Sequence, residues 1–228
     1  RIGIMLPTSS GGALAITGAL IGHRTPVLIN YSTGAEKNCR YAQKQCDFKT
    51  IITTRLLLEK TGCPQFPEMI LIEDIMAKLS TYEKAIAFIK SKCPEKLLFR
   101  LSGKHNMDAP AVILFTSGSE KDPKVVQLTQ RNLLSNIESF SDMMDIADMD
   151  NVLAVLPYFH IFGLTINLWT PLYHGMTSIT YANPLDFKTV AKIIKETKPE
   201  LLIGTPLFLE GYLRQSQAGD FSSVELTV

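Results

Sequence analysis

The chain has 228 residues, of which 46% are hydrophobic and 20% are charged, and its 23 basic and 22 acidic residues leave a net charge of +1. This is the composition of a soluble globular protein, with enough length for one large or two small domains. The balanced charge argues against a basic nucleic-acid-binding surface, so we expect no nucleic acid partner. No apolar run reaches the ~18–20 residues that span a bilayer.

The first half of the chain predicts alternating strands and helices. Strands are expected at residues 2–6, 26–29, 50–53 and 68–72, helices at 11–22, 36–46 and 74–92, and a helical turn at 55–60. Residues 92–109 contain Pro, Gly, Asn and charged residues and are the best internal boundary. The four cysteines have neither Cys-x-x-Cys spacing nor a nearby His, so we expect free thiols in a reducing cytosol and no metal site.

The second half continues the alternation. Strands are expected at 111–115, 125–128, 151–156, 177–181, 201–204 and 224–228, and helices at 131–144, 162–173 and 187–196, with another started by Pro206. Alternating strands and helices predict parallel sheets covered by helices, which is an α/β fold. We expect two portions, residues 1–110 and 111–228.

The most distinctive stretch chemically follows the strand at 111–115. It contains Thr116, Ser117, Gly118 and Ser119, and Lys124 follows within the same nine residues. A backbone that bends at a glycine can direct several N–H groups to one place, and lysine adds a compact positive charge. This pattern favours a phosphate chain as the ligand. The alternative is an ordinary polar hairpin on the surface, and the stretch is not a Walker loop because no Gly-Lys-Ser/Thr occurs.

Two further polar residues follow predicted strands. His160 follows the strand at 151–156, and Thr205 follows the strand at 201–204. Ligands of open α/β sheets bind beyond the carboxyl ends of strands, so these residues and the loop at 116–119 are expected to line one crevice. The alternatives are that His160 is a packed core residue among aromatic neighbours and that Thr205 caps a helix.

Two stretches resemble a known family. Residues 116–124 resemble the phosphate loop of the acyl-adenylate-forming (AMP-binding) superfamily, and residues 156–164, which begin 40 residues after Thr116, resemble its Leu-Pro-x-Phe-His-x-Phe-Gly segment. Weaker similarity extends over nearly the whole chain. Glu120 matches the variant of bacterial acyl-acyl-carrier-protein synthetases, the ligase halves of bifunctional 2-acylglycerophosphoethanolamine acyltransferases. Lys121 and Val125 depart from the pattern, because the family usually has glycine at both positions.

The resemblance implies a fold of parallel-sheet βαβ layers, the large N-terminal domain of these enzymes in truncated form. It implies an ATP-dependent fatty acid:acyl-carrier-protein ligase that uses ATP and Mg²⁺ and serves phospholipid acylation. The alternatives are a long-chain acyl-CoA synthetase and a non-catalytic nucleotide- or lipid-binding relative. The implied partners are a fatty acid, acyl carrier protein or CoA, and a membrane-associated acyltransferase domain. The implied location is the cytoplasm or the cytoplasmic face of the bacterial inner membrane.

The resemblance also implies roles for individual residues. His160 would orient the carboxylate where it meets the phosphate, and the acyl chain would lie along Phe162, Gly163 and Leu164. The alternative for these three residues is an apolar helix face that packs in the core. The family's adenine segment, ribose-binding Asp, metal-binding Glu and small mobile C-terminal domain have no counterpart here, so we expect a fragment that is inactive alone. The implied nucleotide-binding set is Thr116, Ser117, Gly118, Ser119, Glu120, Lys121, Lys124 and Thr205.

Overall fold

The structure is a computed structural model that describes residues 1–94, 96–98, 106–116 and 123–227. The chain folds into two compact units. Unit 1 comprises Arg1–Leu6 with Leu14–Gln130, and unit 2 comprises Pro7–Ala13 with Arg131–Val228. The units therefore separate in sequence after Gln130, whereas the two portions predicted from the sequence meet between residues 110 and 111; that division stays a prediction.

Unit 1 contains a six-stranded sheet in the order β4-β3-β1-β2-β5-β6. The first five strands of this order pair in parallel, whereas β5 and β6 pair antiparallel. Only seven residues, 117–123, connect β5 and β6, and a parallel crossover needs a dozen or more, which explains this exception to the predicted parallel sheet. The strands are β1 Ile2–Ile4, β2 Pro26–Leu28, β3 Ile51–Thr53, β4 Met69–Leu71, β5 Pro110–Thr116 and β6 Lys124–Thr129.

The second helix shows how helices cover this sheet. It begins after Gly34, whose φ of 63° is left-handed, and its buried residues Ala35, Cys39, Ala42 and Cys46 recur at spacings of four, three and four. These residues lie on one helix face and join the core of unit 1. Burial raises the pKa of the Cys39 thiol to about 12, which makes it a poor nucleophile. The helices of this half are α1 Ser10–Ile21, α2 Ala35–Cys46, α3 Arg55–Thr61, α4 Ile72–Lys78 and α5 Thr81–Ser91.

The single helix predicted at 74–92 is wrong, because α4 ends at Lys78 and α5 begins at Thr81. Ser80 caps the second helix. Its hydroxyl accepts from the backbone N–H of Glu83 at 3.2 Å, and the Glu83 carboxylate accepts from the N–H of Ser80 at 2.8 Å. This reciprocal capping box satisfies two backbone donors that a helix start would leave unpaired.

Unit 2 contains a parallel four-stranded sheet in the order β10-β9-β7-β8. Val152, Leu153, Ile194, Leu201 and Tyr212 are fully buried around it. None of the helices in the described ranges is both long and apolar enough to cross a membrane. The strands are β7 Asn151–Ala154, β8 Thr177–Thr180, β9 Leu201–Leu202 and β10 Leu226–Thr227. The helices are α6 Gln130–Met144, α7 Ile161–Leu164, a π-helix at Thr165–Trp169, α8 Thr170–His174, α9 Phe187–Thr197 and α10 Pro206–Arg214.

Candidate functional site

The β5–β6 hairpin holds the two ends of the predicted phosphate loop together. Thr116 ends β5, Lys124 begins β6, and the two are cross-strand partners. Both side chains are exposed, so a hydroxyl and an ammonium group lie at the loop end of the hairpin. Five predicted members of the set lie outside the described residues: Ser117, Gly118, Ser119, Glu120 and Lys121.

Val125 shows why this chain needs no glycine at that position. It lies in β6 opposite Phe115, and its side chain packs against the core of unit 1. The non-glycine residues with positive φ in the described part are His23, Asp47, Asp145 and Lys198. Val125 therefore has the extended backbone that β-branched residues favour, and its departure from the family pattern causes no strain.

A cavity of about 190 Å³ lies beside the loop end of the hairpin in unit 1. Its lining includes Asn30, which follows β2, and Thr116, which ends the neighbouring strand β5. Tyr41 of α2 also lines it, and the Tyr41 hydroxyl donates to the carbonyl oxygen of Pro123 at 2.7 Å. The sequence analysis missed Tyr41, because its partner lies 82 residues away and no local pattern marks the contact.

His160 is placed by a tight turn at the end of β7 in unit 2. The His160 N–H donates to the carbonyl of Pro157 at 3.1 Å, and the His160 carbonyl accepts from the N–H of Leu164 at 2.8 Å. The side chain is exposed and makes no cap bond to α7, whereas Tyr158 and Phe159 beside it are buried. His160 is therefore not a core residue, and its imidazole is available to a ligand. Burial raises the pKa of Tyr158 to about 12.

Gly163 closes this turn. A Cβ atom at Gly163 would lie 2.4 Å from the carbonyl oxygen of Pro157 and 3.0 Å from atoms of Leu156. Since both neighbours are on the backbone before His160, only glycine fits without moving the turn. Phe162 is 42% exposed and Leu164 is 0% exposed. The structure thus gives Gly163 a packing role, and the acyl-binding role of all three residues stays a prediction.

A buried polar contact fixes the strand end before the turn. The carbonyl of Leu156 accepts from the Thr8 hydroxyl at 2.8 Å and from the Asn167 amide at 3.0 Å. Asn167 lies in the π-helix, and its own carbonyl accepts from the Ser178 hydroxyl at 3.0 Å. π-helical turns are rare and occur frequently at functional sites. The sequence predicted one continuous apolar helix at 162–173 and missed both the π-helix and Asn167.

Thr205 follows β9 and precedes α10. Its carbonyl accepts from the N–H groups of Phe208 and Leu209, but its hydroxyl makes no cap bond to α10. The structure therefore does not support the alternative that the Thr205 hydroxyl caps the helix. Because β7 and β9 are neighbouring parallel strands, His160 and Thr205 follow strands that end at the same edge of the sheet.

The described residues divide the predicted site between the two units. Thr116 and Lys124 belong to unit 1, and His160 and Thr205 belong to unit 2. Across the described ranges, no group of three or more His, Cys, Asp or Glu side chains has the arrangement of a metal site. A single crevice that contains all of these residues stays a prediction.

Two units built on largely parallel sheets, with polar residues beyond the strand ends, define a protein of the α/β class. The whole chain, residues 1–228, matches the family described as AMP-binding enzyme. The chain belongs to this family.

Curated relatives of the chain are named as CoA ligases, and solved structures share its fold. The chain is 28% identical over 163 residues to the acyl-CoA ligase SID4 of Ajellomyces capsulatus, and this match covers 72% of the chain and 28% of the ligase. It is 35% identical over 121 residues to a long-chain-fatty-acid–CoA ligase of Bacillus subtilis, and this match covers 50% of the chain and 21% of the ligase. The O-succinylbenzoate coenzyme A synthetase of Bacillus subtilis in complex with AMP has the same fold, with a TM-score of 0.76 and 19% identity over 99% of this chain and 53% of that one. The chain thus spans well under half the length of both ligases.

Proposed function

We propose that the chain is part of an ATP-dependent acid–thiol ligase. The observation that carries this proposal is the match of all 228 residues to the AMP-binding enzyme family. The pairing of Thr116 with Lys124 at the loop end of the hairpin, where β5 lies beside the parallel strand β2, supports it. The acceptor thiol is the finer part of the proposal. The sequence predicts acyl carrier protein as the acceptor, whereas the relatives favour CoA.

The proposed reaction has two steps. A carboxylate oxygen attacks the α-phosphorus of ATP, a new C–O–P link forms, and the bond between the α- and β-phosphates breaks to release pyrophosphate. A thiol then attacks the acyl carbon, the thioester forms, AMP leaves, and the thiol proton passes to solvent. A fatty carboxylate is already ionised at neutral pH, since its pKa is close to the roughly 4.3 of glutamate, so the first step needs no general base.

The protein contributes positioning and charge stabilisation to the first step. Lys124 and the hydroxyl of Thr116 would hold phosphate oxygens, each charge-assisted hydrogen bond contributing on the order of 1.5–3 kcal/mol. His160 would orient the carboxylate, and Thr205 would face the same crevice. The proposed acyl chain would lie along Phe162, Gly163 and Leu164.

Mg²⁺ enters this proposal as part of the MgATP substrate. The described side chains include no ready-made metal cluster, and Mg²⁺ commonly binds substrate phosphates together with only one or two protein carboxylates. The ion would offset phosphate charge when bound, and Thr116 and Lys124 would hold the phosphate oxygens that remain free.

CoA is the favoured acceptor, because both relatives described above are named as CoA ligases and one as a long-chain-fatty-acid–CoA ligase. The carrier-protein alternative depends on Glu120, whose position in the loop matches the acyl-carrier-protein synthetases. A fatty acid is the favoured acid in either case. The proposed membrane-associated acyltransferase partner applies only to the carrier-protein alternative.

The test is to supply the complete protein with ATP, fatty acids, and either CoA or phosphopantetheinylated acyl carrier protein, and to identify the products. The proposal expects AMP, pyrophosphate and a thioester, with CoA the better acceptor. Lys124→Ala should reduce pyrophosphate release, whereas Lys192→Ala, at an exposed ion pair with Glu196, should not. Formation of ADP and phosphate, or ATP binding without any acid-dependent pyrophosphate release, would overturn the proposal. A preference for carrier protein would overturn only the choice of acceptor.

A further inference from the structure

One face of α2 holds two loops of unit 1. The adjacent face of this helix is fixed in the core through its buried residues, which include Cys39 and Ala42. Asn38 and Tyr41, one helical turn apart, extend toward the loops that follow β2 and β5. Because β2 and β5 are neighbouring parallel strands, these loops lie at the same edge of the sheet.

Asn38 closes the first of these loops. Its side-chain amide donates to the carbonyl of Asn30 and to the carbonyl of Thr33, each at 2.8 Å. The loop is braced further by Asn30, whose side-chain oxygen accepts from the N–H and the hydroxyl of Ser32. The wall of the cavity beside the hairpin is therefore held by hydrogen bonds to α2.

Tyr41 contacts both ends of the hairpin loop. Its hydroxyl donates to the carbonyl of Pro123 at 2.7 Å, and its ring meets the ring of Phe115 edge-on with centroids 5.9 Å apart. Phe115 directly precedes Thr116, and Pro123 directly precedes Lys124. The peptide bond is planar, so a fixed Pro123 carbonyl also fixes the backbone nitrogen of Lys124.

We propose that Tyr41 is a positioning residue for the phosphate loop, which acts through the Pro123 carbonyl to aim Lys124 at the bound phosphates. This proposal rests on the proposed function, since it requires that Lys124 binds phosphate. This role requires no contact between Tyr41 and the nucleotide. The Tyr41 hydroxyl limits the orientations that the start of β6 can adopt, and so reduces the freedom that Lys124 must lose when ATP binds.

Tyr41→Phe in the complete protein tests this role, because it removes the hydroxyl and keeps the ring against Phe115. Tyr212→Phe is the matched control: the Tyr212 hydroxyl donates to the carbonyl of Pro184 at 2.9 Å in unit 2, so the variant loses a bond of the same type away from the hairpin. Tyr41→Phe should raise the KM for ATP by about two- to tenfold, the range of one neutral hydrogen bond. The KM for the acid and for the thiol should not change, and Tyr212→Phe should leave the KM for ATP unchanged.

A double-mutant cycle with Lys124→Ala separates positioning from general stability. If Tyr41 acts through Lys124, Tyr41→Phe has no further effect on the KM for ATP in the Lys124→Ala background. The inference is overturned if Tyr41→Phe lowers the melting temperature but leaves the KM for ATP at the wild-type value, or if the two effects multiply independently. If Lys124→Ala alone leaves ATP use unchanged, the proposed role of Lys124 has failed as well, whereas a wild-type protein that releases no pyrophosphate with any acid would refute the proposed function itself. Loss of ATP use in Lys124→Ala with none in Tyr41→Phe refutes the role of Tyr41 alone.

Discussion

The substitution Gly163→Ala tests the tight turn that carries His160. The added Cβ would lie 2.4 Å from the carbonyl oxygen of Pro157, and ordinary contacts begin near 3.4 Å, so the two backbone segments must separate by 1.0 Å. Neither contact can be relieved by a rotamer change, since the neighbours are the carbonyl oxygen of Pro157 and the carbonyl carbon and Cβ of Leu156, which side-chain rotation does not move. Overpacking of this kind costs about 1–3 kcal/mol. For a chain of this length, the loss corresponds to a fall in melting temperature of roughly 2–12 °C.

The assay is urea unfolding of the 228-residue chain, followed by the fluorescence of Trp169, which is its single tryptophan. Gly18→Ala is the matched control, because a Cβ at Gly18 meets nothing within 4 Å and the residue lies inside α1. There the same change should stabilise the chain by about 0.5–1 kcal/mol, since alanine is the better helix former. Equal stability of Gly163→Ala and the wild-type chain, within about 0.5 kcal/mol, would refute the packing argument.

Three further predictions concern single side chains. His160→Ala should lower adenylation by the complete protein at least about tenfold, or ~1.4 kcal/mol, with little change in melting temperature, because the side chain is exposed; a normal rate with a large loss of stability would contradict this. The Tyr181 hydroxyl donates to the Asp186 carboxylate at 2.7 Å and, together with Thr189, lowers the pKa of Asp186 in the folded protein. The ionised Asp186 therefore stabilises the fold above its ordinary pKa of 3.8, and this stabilisation is lost as the pH falls through the lower pKa of the folded state. Asp186→Asn should therefore be less stable than the wild type at pH 7, and its stability should fall less as the pH drops below 4. Parallel acid unfolding curves for the variant and the wild type would show that the Tyr181–Asp186 hydrogen bond is unimportant. Lys124→Ala should weaken ATP binding more than Lys121→Gly, and only the Lys121 effect should vanish at high salt; equal losses would show that the loop is assigned in the wrong register.

Local patterns predicted most of the secondary structure correctly. Short apolar runs bounded by polar residues indicate strands, and the structure contains a strand that overlaps each predicted one, although β7 ends at Ala154, two residues earlier than predicted. The break between α4 and α5 could also have been predicted, because Ser80 and Glu83 have the spacing of a capping box. The long hydrophobic periodicity across 74–92 concealed that signal.

Long-range contacts could not be predicted in this way. The Thr8 hydroxyl meets the Leu156 carbonyl across 148 residues of sequence, and the Tyr41 hydroxyl meets Pro123 across 82. Such bonds join a side chain to a backbone carbonyl, and every residue has a carbonyl, so the partner leaves no mark in the sequence. The exposure of His160 likewise depends on the turn that Gly163 permits, and its aromatic neighbours suggested burial as readily.

The most direct test of the central claim is exchange of labelled pyrophosphate into ATP by the complete protein, measured with a fatty acid present and no thiol. Formation of an acyl-adenylate is reversible, so an enzyme of this type catalyses the exchange only when its acid is bound. The account predicts exchange that requires the acid, falls sharply in Lys124→Ala and persists in Lys192→Ala. Exchange that is absent with every acid, or that is equal in Lys124→Ala and the wild-type protein, would contradict it.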